Sequence, residues 1–155
     1  MTSSTHDGLI AMFRDNPDFL TEVLDENLGI PLPPFTDSVA GNCDLTEIVS
    51  TEYRADAVVT RYRDGEPVLA VIVEAQRKRD ARKRETWPVY VATVHARLHC
   101  PVLLLVVCPN ASVAAWSAEP IVIFEPGLTL RPIVFGPPPG TGHHRHRAGP
   151  AAPPR

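Results

Sequence analysis

Two apolar runs, Tyr53–Tyr62 and Val68–Gln76, each carry an acid among Ala, Val, Ile and Leu: Asp56 in the first, Glu74 followed by Gln76 in the second. Both runs read as neighbouring β-strands, and nothing else in the chain limits the fold so narrowly. An unpaired carboxylate in a strand interior is costly to desolvate. Two carboxylates brought together repel unless a cation lies between them. Hard divalent cations such as Mg²⁺ are held in this way, by one or two carboxylates with water and phosphate oxygens completing the shell.

Whether the two acids can meet is a question of parity, because strand side chains alternate with period two. Asp64-Gly65 is a turn dipeptide. If those two residues form a tight loop, Asp56 faces Val73, and Asp56 and Glu74 point to opposite sides of the sheet. If Arg63-Asp64-Gly65 form a three-residue loop, Asp56 faces Ile72 and joins Glu74 and Gln76 on one side. A shared metal site therefore requires an odd-length loop or a β-bulge.

Around this hairpin the chain alternates helix and strand signals. Thr5 is placed to cap a first helix with Leu9, Met12 and Phe13 as its stripe. Asn16-Pro17 restarts the chain as N-cap and first helical residue, with Leu20, Val23, Leu24 and Leu28 facing inward and Gly29 closing the helix. A first strand is expected near Asp44–Thr51. After Gln76 comes the basic run Arg77, Lys78, Arg79, Arg82, Lys83 and Arg84. A helix then starts between Asp80 and Pro88, with Trp87, Val91, Val94 and Leu98 on its apolar side, Tyr90 beside them and His95 as a packed, hydrogen-bonded residue. The continuous run from Pro101 to Val107 has the character of a strand buried on both faces. Asn110–Ser117 is expected as a short helix and Leu130–Phe135 as a last strand. A strand–helix–strand crossover of this length predicts an α/β fold, a mixed central β-sheet flanked by helices.

The 155 residues suit one domain over about residues 5–135, and the 44% apolar share suits a globular protein. The remainder, residues 136–155, is a Pro/Gly/His/Arg-rich tail expected to be disordered. The net charge of −3 does not by itself announce a nucleic-acid partner. Cys43, Cys100 and Cys108 show no CxxC spacing, and the chain shows neither a signal pattern nor a run long enough to span a bilayer. A cytoplasmic protein without a membrane partner is expected. Gly136-Pro-Pro-Pro-Gly-Thr-Gly142 imitates a phosphate loop but lacks the Gly-x4-Gly-Lys-Ser/Thr spacing.

The order αβββαβ, with Asp56 on the second strand and Glu74-x-Gln76 ending the third, resembles the PD-(D/E)xK nuclease superfamily. More narrowly it is similar to the recombination-promoting nuclease and transposase-like branch, where Gln commonly replaces the signature lysine and His-Asp opens the first helix, as His6-Asp7 does here. Tyr53-Arg-Ala-Asp56, Val73-Glu-Ala-Gln76 and Trp87-Pro-x-Tyr90 also resemble segments of short proteins near that branch. The resemblance implies a restriction-endonuclease-like core and a metal-dependent endonuclease hydrolysing DNA phosphodiester bonds. It implies Mg²⁺, with Mn²⁺ as substitute, held by Asp56, Glu74 and the backbone carbonyl of Ala75, with Gln76 orienting water or a phosphate oxygen. Glutamine cannot carry the charge of a lysine, and Lys78, two residues further on, is a candidate to restore it. Arg77, Lys78, Arg79, Arg82 and Lys83 would contact the nucleic-acid backbone, although a solvated loop and helical turn explain such a run equally well. Glu22 and Glu26 lie off the apolar stripe and suit a solvated helix face. Cutting both strands takes two sites, hence the expectation of a homodimer.

Two rival readings stand beside this one. A catalytically inactive relative would keep the fold and bind nucleic acid or a protein partner. A purely structural module would hold Asp56 and Glu74 in ion pairs with Arg54 or the basic run.

Overall fold

The computed structural model describes residues 3–41, 43, 45 and 53–138, and divides the chain into two compact units, Met1–Glu52 and Tyr53–Arg155. Of the strand expected near Asp44–Thr51 only Leu45 is described, and it is exposed; the rest of that segment and all of the tail beyond residue 138 lie outside the described residues.

In the first unit α1 spans Ser3–Asp15, so Thr5 lies within the helix rather than capping it. A short α2, Phe19–Thr21, passes into a π-helical segment, Glu22–Asn27. Its N-cap is Asp18 rather than Asn16, whose carbonyl instead accepts from the Phe19 N–H at 3.0 Å. Gly29 closes the segment at φ +64°, a left-handed position that favours glycine, as its place after the stripe predicts. The rings of Phe13 and Phe19 pack with centroids 5.1 Å apart. Leu9, Met12, Leu20 and Leu28 are all exposed, and among the described residues of this unit none is buried. Glu22 and Glu26 are solvated.

The second unit holds the core. Its strands are β1 (Ala57–Arg63), β2 (Glu66–Ala75), β3 (Val102–Val107), β4 (Ile121–Phe124), β5 (Leu128–Leu130) and β6 (Ile133–Phe135), with helices α3 (Ala81–Leu98) and α4 (Ala111–Ala118). A four-stranded mixed sheet has the order β1-β2-β3-β6: β1 runs antiparallel to β2, while β2, β3 and β6 are parallel. β4 and β5 form a separate antiparallel pair, which the sequence pattern did not suggest.

Both helices begin where side chains supply the missing acceptors. Asp80 accepts from the Arg82 N–H at 3.0 Å, and Asn110 accepts from the N–H groups of Ser112 and Val113 at 2.8 and 3.3 Å. Pro88 lies inside α3 rather than beginning it. His95 is exposed, and its Nδ1 lies 2.9 Å from the Cys100 carbonyl.

The core occupies one side of the sheet. Ile72, Leu104 and Val106 point to the side carrying Trp87 and Tyr90 of α3 and Val113 and Ala114 of α4. Full burial of each aliphatic side chain contributes about 1.5–3 kcal/mol relative to exposure. The other side, with Val71, Val73, Leu103, Leu105 and Val107, is only half-buried, and Val59 and Ile133 are exposed. The sequence reading thus needs two corrections. Within this unit α3 and α4 share one face of the sheet rather than flanking both. β3 is buried on one face and half-buried on the other, so its unbroken apolar run overstated its burial.

Candidate metal and phosphate site

The acids lie at the end of the sheet where parallel strands β2 and β3 finish and α3 starts. Asp64 (φ 49°) and Gly65 (φ 81°) make a two-residue turn of the type whose central residues are both left-handed, with Arg63 opposite Glu66. That is the loop length predicted to separate the acids. A shift between Arg61 and Tyr62 repairs the parity: Tyr62 pairs with Pro67 but Arg61 pairs with Leu69, which leaves Val68 as the extra residue of a bulge. From there the register runs unbroken to Ala57 opposite Val73. One further step sets Asp56 opposite Glu74.

Asp56 itself sits in a bend just before β1, exposed, at the entry of the strand rather than in its middle. Its Oδ2 accepts from the Ala75 N–H at 2.9 Å, and its own N–H donates to Glu74 Oε1 at 3.2 Å. Strand residues send N–H and C=O to the same edge, so the Ala75 carbonyl also leaves toward Asp56. Glu74 is completely buried, on the same face as Ala70, Ile72 and Gln76.

The second oxygen of Glu74 meets a cation. Lys83 Nζ, from the first turn of α3, donates to Glu74 Oε2 at 2.8 Å and lies 5.8 Å from the centre of the Tyr90 ring. Burial pulls the Lys83 pKa down. The hydrogen bond to Glu74 and that residue's charge outweigh burial, and with Tyr90 and Asp56 behind them they hold Lys83 above its ordinary 10.5. The pair also accounts for a helix whose first turn is cationic and contains no acid, an arrangement that opposes the helix dipole when nothing compensates it.

Gln76 is buried and donates from Nε2 to the Lys78 carbonyl at 2.6 Å, bracing the turn that leaves β2. Lys78, the candidate to restore the charge that Gln76 lacks, is past the end of the strand and exposed, so the strand does not continue far enough to set it on the Gln76 face. Arg79 ties the turn to α4 through Ser112 Oγ at 3.3 Å. Arg84 leaves the basic run altogether: its guanidinium donates to the carbonyls of Trp116, Glu119 and Pro120 at the end of α4 and lies over the Trp116 ring. Among the described residues, the side chains of Arg77, Lys78 and Arg82 make no ion pair or hydrogen bond, and all three are exposed.

As a donor set, Asp56, Glu74 and the Ala75 carbonyl are all hard oxygens, which suits Mg²⁺ with water filling the remaining positions. Among the described residues no group of three or more His, Cys, Asp or Glu side chains gathers, here or elsewhere, so the side-chain ligands of this site are the two carboxylates alone, and no helix is long and apolar enough to cross a membrane. The sequence reading of Lys83 as a phosphate contact did not anticipate its pairing with Glu74. Its signal was helical phase: extending the inward stripe Trp87, Tyr90 and Val94 back by one turn reaches Lys83, which therefore faces the sheet. Comparison with protein-family models, curated proteins and solved structures finds no match for this chain.

Proposed function

We propose that this protein is a metal-dependent phosphodiester hydrolase acting on nucleic acid, DNA in the first instance, with a nuclease-like arrangement of the PD-(D/E)xK kind. The observation that carries the reading is the bulge at Val68, which sets Asp56 opposite Glu74 although the turn alone would part them. Asp56, Glu74 and the Ala75 carbonyl would hold Mg²⁺ or Mn²⁺. Such an ion, when bound, polarises a phosphate oxygen and acidifies water. The chain's own part is to fix the donors on the sheet end, to brace the exit turn through Gln76, and to hold the phosphate backbone with Arg77, Lys78 and Arg82. Arg79 and Arg84 support α4, and Lys83 answers Glu74.

A second reading rests on the same carboxylate. The Lys83–Glu74 pair and the Gln76 bond to Lys78 leave the site internally satisfied, as in an inactive relative that only binds nucleic acid or a protein. Nicking of supercoiled plasmid with Mg²⁺ or Mn²⁺ at low salt separates the two. Cleavage abolished by Asp56→Ala and by Glu74→Ala is expected; no cleavage by the wild type with either metal refutes the hydrolase reading.

A further inference from the structure

We propose that the Lys83 ammonium is a built-in counter-ion which a divalent cation displaces from Glu74, so that metal loading and release of the lysine are one event. The inference rests on the metal-site reading above and concerns how that site fills.

Glu74 is fully buried and its charge needs a partner. Oε1 has only the Asp56 N–H at 3.2 Å, whereas Oε2 has the Lys83 ammonium at 2.8 Å. A cation held by Asp56 and Glu74 would therefore compete with a cation already in contact with the same carboxylate. Both cannot be held close without mutual repulsion, which rises as the surroundings become drier. Lys83 is built to yield. Its side chain is 27% exposed while its anchor is fully buried, so the ammonium can reach water as Glu74 cannot. The Tyr90 face lies 5.8 Å away as a second resting place. Once released, the ammonium joins the exposed Arg77, Lys78 and Arg82 as a cation open to a phosphate. The charge that Gln76 lacks would then be supplied only when metal is present.

The chain contains only two lysines, Lys78 and Lys83, so the event can be watched in the unmodified protein. In full-length protein labelled with ¹⁵N-lysine, the paired Lys83 ammonium gives a side-chain NMR signal sheltered from solvent exchange, with Lys78 as internal control. Adding Mg²⁺ is expected to abolish the Lys83 signal with the same saturation curve that calorimetry gives for Mg²⁺ binding. Lys83→Met should bind Mg²⁺ about tenfold more tightly, since the competing charge is gone. A Lys83 signal that persists at saturating Mg²⁺, or an affinity in Lys83→Met no tighter than wild type, overturns the displacement and leaves the metal site standing. Failure of both proteins to bind Mg²⁺ overturns the metal site, and the displacement with it. The NMR arm needs no substitution, so poor folding of the variant would not shield the proposal.

Discussion

Removing Lys83 should cost more stability than removing the charge of Glu74, and the two losses should not add. In Lys83→Met a completely buried carboxylate keeps only one backbone N–H at 3.2 Å. Breaking a buried pair from one side costs about 3–5 kcal/mol; the partial exposure of Lys83 points to the low end, about 3 kcal/mol. In Glu74→Gln the amide still accepts from Asp56, while Lys83 turns to water. The cost there should be about 1 kcal/mol, one net hydrogen bond. In the double variant no charge is buried, so the combined loss should fall short of the sum by about 1–3 kcal/mol. Urea unfolding in EDTA, followed by tryptophan fluorescence, reports on this directly, because Trp87 is fully buried in the core with Trp116 packed 6.1 Å away. Thermal unfolding should place Lys83→Met lower by roughly 10 °C or more for a unit of this size. A coupling below about 0.5 kcal/mol, within the scatter of independent sites, would show that the ion pair is incidental and that Glu74 is stabilised by something else.

Four further outcomes follow from the same geometry. Because Lys83 is held above 10.5 in the folded state, its contribution should be full below pH 10.5 and lost as pH climbs through the higher folded value; the urea midpoints of wild type and Lys83→Gln should therefore converge only in the alkaline range. Arg84→Ala should destabilise by about 1–3 kcal/mol through loss of the charge-assisted hydrogen bonds to three carbonyls at the end of α4, with Arg84→Lys a poor substitute because one ammonium cannot reproduce the fork, and melting curves of the two variants would decide it. Gly136→Ala should lower the melting temperature, because a Cβ there would lie 2.5 Å from the backbone oxygen of Cys108, and no flexible side chain can give way. If Arg77, Lys78 and Arg82 contact phosphates, replacing all three with Ala should weaken DNA binding whatever the sequence and reduce the slope of log K against log salt by up to about 2.7 for duplex DNA.

The elements legible in the sequence were those whose own residues dictate them. Trp87, Tyr90 and Val94 repeat at helical spacing and do face the core; Asn110 caps α4 as its side chain favours; Gly29 ends its helix in the one region where glycine is preferred. The elements that escaped depend on partners far away in the chain. Leu130–Phe135 read as one strand, yet Arg131-Pro132 divides it: Leu130 pairs with Ile121, while Ile133 pairs with Leu105 in the other sheet. The glycine of the false phosphate loop, Gly136, is accounted for by close approach to Cys108, which a sequence pattern cannot distinguish from close approach to a ligand.

The candidate site turned on a residue whose one local signal is its neighbour Pro67, since proline within a strand is confined to edges, strand starts and bulges. Asp64-Gly65 favours a two-residue turn, and with that turn a regular ladder would have sent Asp56 and Glu74 to opposite faces of the sheet. The extra residue that reconciles turn and site is Val68, a good strand former, 44% exposed, with nothing in its chemistry to mark a bulge. Its position is fixed by two distant demands: Ala70, Ile72 and Glu74 must point toward α3, while Arg63 and Glu66 must meet across the turn. A bulge is the cheapest way to satisfy both, since it costs one unpaired residue at an edge hairpin rather than a misplaced core. The same demand brings Lys83 into play. Once Glu74 is committed to the buried face, the cation that answers it has to come from the element covering that face, and the first turn of α3 is where that helix passes the strand end. A charge following Gln76 along the chain lands in solvent, as Lys78 does, whereas a charge on the covering helix reaches the carboxylate.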